Sequence, residues 1–432
     1  MFEIYEKSRS GELLGLLRSR AGEAAAEASE SVKKIIADVR ASGDDAVRYY
    51  TEKFDGVKGA PFWLDKCEIE AAARRVDEGL LCAMRRAAEN IRTFHERQRE
   101  RGWAEFSAGK YMGQRIVPLK RVGVYAPGGT AAYPSTVLMT AIPAKVAGVE
   151  EIILATPPKV SEDGKIMPAD AVLCAAWIAG VDRVLLAGGA QAVAALAYGT
   201  ESIPRVDKIV GPGNIYVAEA KRQVWGAVDI DMIAGPSEVL VIADESANPR
   251  FAAADLLSQA EHDPLAAAVL VTTSAELAGA VNGELMSQLK LLPRREIAAS
   301  AIERCGAALV VDTLEEAAEF ANEVAPEHLE LMVKSPEAIL GLIRNAGSVF
   351  IGAYSPEPLG DYYAGPNHVL PTAGTARFSS GLSWASFVKR MTFVCYDKDS
   401  LVSAAGDIIR LAEAEGLEAH ARAVKVRLEG EK

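Results

Sequence analysis

Histidine is rare in this chain of 432 residues, with only His95, His262, His328, His368 and His420. Cysteine is equally sparse and widely scattered, at Cys67, Cys82, Cys174, Cys305 and Cys395. No CxxC pair occurs among them, which excludes a thiolate zinc site and a disulfide framework. Positive charge is in deficit. Lys and Arg number 47 against 59 Asp and Glu, a formal charge of −12. A nucleic acid or an anionic membrane would demand clustered basic residues, so neither is an expected partner. No apolar run reaches the roughly 18 residues of a membrane span. The longest candidates, Ala171–Val181 and Val184–Ala197, are Ala-rich and parted by Asp182 and Arg183. The opening residues Met1 to Glu6 lack the basic and apolar regions of a signal peptide. A cytoplasmic, soluble protein is the expectation.

What is present is ordinary globular composition, half apolar and a quarter charged. At about 150 residues per domain the length predicts roughly three domains. The first hundred residues read as helices, Glu23–Ala41 and Glu68–Arg101, broken at Gly43 and over Phe54–Pro61. From residue 121 short apolar strands alternate with Gly turns and helices at about 30-residue spacing, the signature of right-handed βαβ units. Val122–Tyr125, Glu151–Ala155, Arg183–Ala187 and Asp207–Val210 form a first set of strands. Val239–Ile242, Ala268–Thr272, Ala308–Val311, Leu329–Met332 and Ser348–Ile351 form a second. The first sheet, about 126–236, is inserted between the parts of the second. Beyond Ser380 the alternation fades into a helical tail, Ser400–Leu428.

Gly211-Pro212-Gly213 opens a helix, so its N–H groups and the helix terminus can receive an anion. The full G-x-G-x-x-G fails, because position 216 is Tyr, and no acidic residue follows at the spacing for a ribose hydroxyl. Pro127-Gly128-Gly129 and Gly188-Gly189 are equally incomplete. Gln259 and His262 stand three apart in a helix-like run and share a face. Asp361 follows Gly360 in a Gly- and Pro-rich loop, and His420 lies on the tail helix five residues after Glu415. Two imidazoles, a carboxylate and an amide suit a divalent cation such as Zn²⁺. The plainer reading makes Asp361 a loop cap and His420 a solvated helix residue. Glu327-His328, at the start of a strand, offers two proton acceptors or a salt bridge at a sheet edge. His95, amid Arg92, Glu96, Arg97 and Arg99, reads as part of a charged helix face.

Longer motifs carry a resemblance. Arg121–Gly129 (RVGVYAPGG), Gly188–Thr200 (GGAQAVAALAYGT), Gly211–Asn214 (GPGN), Asp229–Glu238 (DIDMIAGPSE), Leu257–His262 (LSQAEH), Pro326–Leu329 (PEHL) and Ser355–Thr372 (SPEPLGDYYAGPNHVLPT) occur in order. Together they make the chain resemble the histidinol dehydrogenases over nearly its whole length. The resemblance implies oxidation of L-histidinol to L-histidine through L-histidinaldehyde, the end of histidine biosynthesis, with two NAD⁺ consumed per turnover. It implies one zinc ion per subunit on Gln259, His262, Asp361 and His420. His328 matches the base that takes the alcohol proton, and Glu327 the base that activates water. Ser237, His368 and Glu415 match substrate contacts, alongside Gln259, His262, His328, Asp361 and His420. Tyr125, Gln191 and Asn214 match NAD contacts.

The implied fold is α/β, two incomplete Rossmann-like doubly wound domains, one inserted in the other, with an N-terminal helical region and a C-terminal helical tail. The arm is 1–20. Residues 21–125 and 237–380 form the domain with the metal and catalytic residues, and 126–236 the NAD-binding insertion. Residues 381–432 form a tail exchanged across a homodimer, bringing Glu415 and His420 to composite sites. A paralogous NAD-dependent dehydrogenase of another small alcohol, such as a sulfonated propanediol, is one alternative. A zinc hydrolase using Glu327 as its water base is another.

Overall fold

The apolar runs read as strands assemble into two parallel sheets. The computed structural model describes residues 2–20, 22–128, 132–161 and 164–429. Gly129 of the first Gly turn lies outside them. One sheet has six strands in the order 229–230, 208–210, 121–125, 151–156, 183–186 and 63–64. Only its edge pair, Trp63–Leu64 against Arg183–Leu186, is antiparallel. The other has the order 3–6, 306–310, 267–272, 238–243, 328–332 and 348–351, with every neighbouring pair parallel. Strands such as Ala267–Thr272 are buried along their whole length. That continuous burial explains why they are apolar throughout rather than alternating, since helices cover both faces.

Both sheets belong to one unit, residues 1–98 and 119–387. The helix Gly22–Asp55 breaks at Gly43, whose φ of 49° and ψ of −125° suit only glycine. Its Val32, Ile35, Val39, Val47 and Tyr50 pack with helices Gly189–Tyr198 and Ile215–Val224 over the first sheet. The expected partition differs here. Residues 21–125 were expected beside 237–380, yet Arg121–Tyr125 is an inner strand of the first sheet. The helices before it pack against that sheet's own helices. Conversely Glu3–Glu6, not foreseen as a strand, pairs with Gly306–Val310 of the second sheet.

His95 requires a correction. It is fully buried, not part of a charged face. The expected long helix is two, Lys66–Arg75 and Glu78–Arg97, and in the second Met84, Ala87, Ala88, Ile91 and His95 form the inward stripe. The ring Nδ1 lies 2.7 Å from Gln98 Oε1, and burial lowers its pKa.

The second unit comprises residues 99–118 and 388–432. Trp103–Ser107, Lys110–Pro118 and Val388–Tyr396 form an antiparallel three-stranded sheet, followed by helices Lys398–Ala414 and Glu418–Leu428. The tail is helical as expected, but the strand before it was not foreseen.

Candidate active site

A cavity of about 1370 Å³ opens inside the first unit. Its walls are the carboxyl ends of the first sheet's strands and the amino ends of the second's. On the first side it meets the point where strand order reverses, between Arg121–Tyr125 and Lys208–Val210, the usual place for a ligand on such a sheet. Tyr125 ends its strand there, and its hydroxyl accepts the Gly189 N–H at 3.0 Å. Burial pushes that hydroxyl's pKa up to about 12. Asn214 caps the helix Ile215–Val224, its Oδ1 accepting the N–H groups of Tyr216 and Val217, both at 3.1 Å. The oxygen is committed to the helix, so its NH₂ is what remains for a ligand. Gln191 has both amide atoms buried without a protein partner. A buried amide left bare at a cavity wall is a place where a ligand completes the hydrogen bonds.

On the second side, the strands Glu238–Ala243 and His328–Met332 lie side by side, with Val239 paired to His328. Their amino ends place Ser237, Glu327 and His328 at the cavity. The backbone of Glu238 holds both members of the pair. Its N–H donates to Glu327 Oε2 at 3.1 Å, and its C=O lies 3.3 Å from His328 Nδ1. His328 Nε2 lies 3.5 Å from Asp361 Oδ1, and Nδ1 lies 3.8 Å from Glu327 Oε2. Burial alone would lower the His328 pKa, but Glu327 and Asp361 outweigh it and push it up to about 10. Burial pushes Glu327 up to about 8, with His328 opposing. His368 places Nδ1 3.0 Å from the Asp361 carbonyl and Nε2 3.3 Å from the Thr136 hydroxyl. Burial holds its pKa below the ordinary value.

Three possible ligand atoms for a metal, one each from His262, Glu357 and Asp361, lie within 4.8 Å of one another. Gln259 adds a buried Oε1 without a partner. Oxygen and imidazole donors converging in this way fit a borderline divalent cation such as zinc. Asp361 stands on a short helix, Glu357–Tyr362, rather than in a loop. Glu357 is the residue sequence reasoning missed, although it precedes Asp361 by four positions and so shares its helix face. It accepts the Ser258 hydroxyl at 2.8 Å, and burial pushes its carboxyl up to about 7. Asp55, also missed, lines the cavity with Oδ2 buried and unpartnered, and burial pushes it up to about 6.

The cavity therefore gathers Tyr125, Gln191, Asn214, Ser237, Gln259, His262, Glu327, His328, Asp361 and His368. Glu415 and His420 belong to the second unit, at the end of helix Lys398–Ala414 and within Glu418–Leu428. The first unit by itself supplies Gln259, His262 and Asp361 of the expected metal ligands.

The family model for histidinol dehydrogenase matches residues 18–428. The histidinol dehydrogenase of Bacillus cereus is 52% identical over 432 residues, covering 100% of this chain and 99% of that one. That of Halalkalibacterium halodurans is 56% identical over 403 residues, 93% of this chain and 94% of its own. The crystal structure of histidinol dehydrogenase from Elizabethkingia anophelis superimposes with a TM-score of 0.91 at 40% identity, covering 99% of this chain and 98% of that one.

Proposed function

The chain belongs to the histidinol dehydrogenase family, and on that premise we propose that it oxidises L-histidinol to L-histidine through L-histidinaldehyde, using two NAD⁺ and one zinc ion per subunit. The observation that carries this reading is a single cavity. It holds the Glu327–His328 pair, the His262–Glu357–Asp361 cluster, the bare amide of Gln191 and the unpartnered Oε1 of Gln259. We assign the zinc to Gln259, His262 and Asp361, completed by His420 of the partner subunit in a homodimer. When bound, zinc supplies an anchor for the substrate imidazole and amine, and a positive charge that draws the His328 pKa down towards the working range. NAD⁺, when bound beside Tyr125, Gln191 and Asn214, supplies the hydride acceptor for each oxidation.

The chemistry left to the chain is proton handling. In the first oxidation His328 takes the proton of the alcohol oxygen as hydride leaves the carbon, producing the aldehyde. Hydride can leave a second time only from a tetrahedral carbon, so the aldehyde must first be hydrated. Glu327 takes a proton from water as the water oxygen bonds to the aldehyde carbon, and the protonated His328 returns its proton to the carbonyl oxygen, giving the hydrate and a neutral imidazole. A carboxyl pushed up towards neutrality by burial is a competent base for this. His328 then takes the hydrate's hydroxyl proton as the second hydride departs, leaving the acid. Among the described residues no cysteine lines the cavity, so no thiol is at hand for a covalent alternative. Ser237 and His368 face the substrate from this subunit, and Glu415 from the partner.

The direct test is NADH formation from L-histidinol by purified, zinc-loaded protein, with the product counted. Two NADH per histidinol is expected. No NADH from histidinol, with turnover of another small alcohol, would shift the assignment to a paralogous dehydrogenase.

A further inference from the structure

A buried ion pair lies beneath the Gly211–Asn214 turn, outside the cavity. Lys221 and Asp231 have side chains only 2% and 1% exposed and are in direct contact. Lys221 Nζ donates to the Gly211 carbonyl at 3.0 Å. Asp231 Oδ2 accepts the Gly211 N–H at 2.7 Å, while Oδ1 accepts the Met232 N–H at 2.6 Å. Both peptide groups of Gly211 are therefore held by one pair of opposite charges.

The reason for that arrangement is local geometry. Gly211 has φ of 112°, and a Cβ there would collide with the Tyr125 carbonyl. This crossover from strand to helix gives Gly211 neither a ladder nor a helical partner, so its N–H and C=O need side chains. Lys221 lies seven residues after Asn214, two turns along the same helix, and its side chain reaches back to the turn. Asp231 comes directly after the edge strand Asp229–Ile230 of the first sheet. Immediately beyond Gly211, Pro212, Gly213 and Asn214 line the cavity. A buried ion pair adds little net stability because both charges lose their water. Its contribution here is to fix where the turn leaves the strand.

We propose that Lys221 and Asp231 are positioning residues for the dinucleotide, acting through Gly211 to set the turn that carries Asn214. The inference rests on the NAD⁺ reading above and deepens it. The test is NAD⁺ affinity measured by direct titration without histidinol, together with steady-state kinetics, on the full chain. Lys221→Met should weaken NAD⁺ binding and raise its KM about tenfold, the scale of one lost charge-assisted hydrogen bond. The kcat at saturating NAD⁺ and the KM for histidinol should stay within about twofold of wild type. Lys221→Arg should recover most of the loss. Because Lys221→Met leaves Asp231 buried and unpaired, the double variant with Asp231→Asn removes that charge, and Asp231→Asn alone keeps the shape and an acceptor. A folded double or Asp231→Asn variant that binds NAD⁺ as tightly as wild type would overturn the proposal. So would a fall in kcat and a rise in both KM values together, the mark of a general packing effect. Wild-type protein that fails to bind NAD⁺ would instead remove the reading on which the proposal rests.

Discussion

On the proposed mechanism, replacing Glu327 by Gln should separate the two oxidations. The amide oxygen can keep the bond from the Glu238 N–H, 3.1 Å long in the native chain, so the fold is retained. What is lost is a proton acceptor and a negative charge. With Glu327 as the proposed water base, the acceptor is needed only for hydration of the aldehyde, and removing a general base costs about 10²–10⁴-fold. The charge acts on His328, whose Nδ1 is 3.8 Å away. At that distance, with an effective dielectric of about 20, the attraction is about 4 kcal/mol. Its loss lets His328 shed its proton more readily, so the alcohol step is preserved or slightly faster. Stopped-flow recording of NADH should show one equivalent formed quickly and the second slowed by about 10²–10⁴-fold, with histidinaldehyde accumulating between. The decisive assay supplies histidinaldehyde directly. If Glu327→Gln oxidises it as fast as wild type, Glu327 is not the water base.

Removing the metal with a chelator should abolish activity while the far-ultraviolet circular dichroism stays native, because two sheets with helices on both faces form a core that folds without it; loss of the helical signal would mark the site as structural. With the tail exchanged across a homodimer as proposed, mixing inactive His420→Asn and His262→Asn chains under subunit exchange should restore up to half the activity of each mixed dimer, one composite site being wild type and the other carrying both changes. A mixture as dead as its parents, with exchange verified, would mean that the tail serves its own subunit. A pH effect on stability should also appear. Burial raises the carboxyl pKa of Asp255 to about 6, of Glu357 to about 7, and of Glu330 well above its ordinary value. On raising the pH the unfolded chain gives up these protons first, so stability is highest in acid and is lost as the pH climbs through the folded values. Glu330→Gln keeps an acceptor for the Glu357 N–H and a donor towards Asp255, so its Tm should fall less steeply between pH 5 and 8 than that of wild type. Parallel slopes in thermal melts would refute that account.

Much of the molecule is legible locally. Apolar runs punctuated by Gly turns mark the strands of both sheets, because a strand covered on both faces has no polar positions to alternate with. Gln259 and His262 are readable as partners from helical spacing, and Glu327-His328 from adjacency at a strand start. Glu357 was readable in principle, four residues before Asp361 on one helix. Other features depend on what packs against them. The polar neighbours of His95 hide its burial, since residues adjacent in sequence point to different sides of a helix. Glu3–Glu6 is too short and too polar to announce a strand, and becomes one only because Gly306–Val310 offers an open edge. Nothing in the order of residues says that the second sheet presents its amino ends to the carboxyl ends of the first. Nor does that order say that Glu238–Ala243 pairs with His328–Met332, which sets the Glu238 backbone against Glu327 and His328, buries all three, and so moves the carboxyl and the imidazole from their ordinary pKa values. Periodicity records which face of an element avoids water, a property of a dozen neighbouring residues. Desolvation and charge pairing are set by residues hundreds of positions apart, and only the packed chain brings those together.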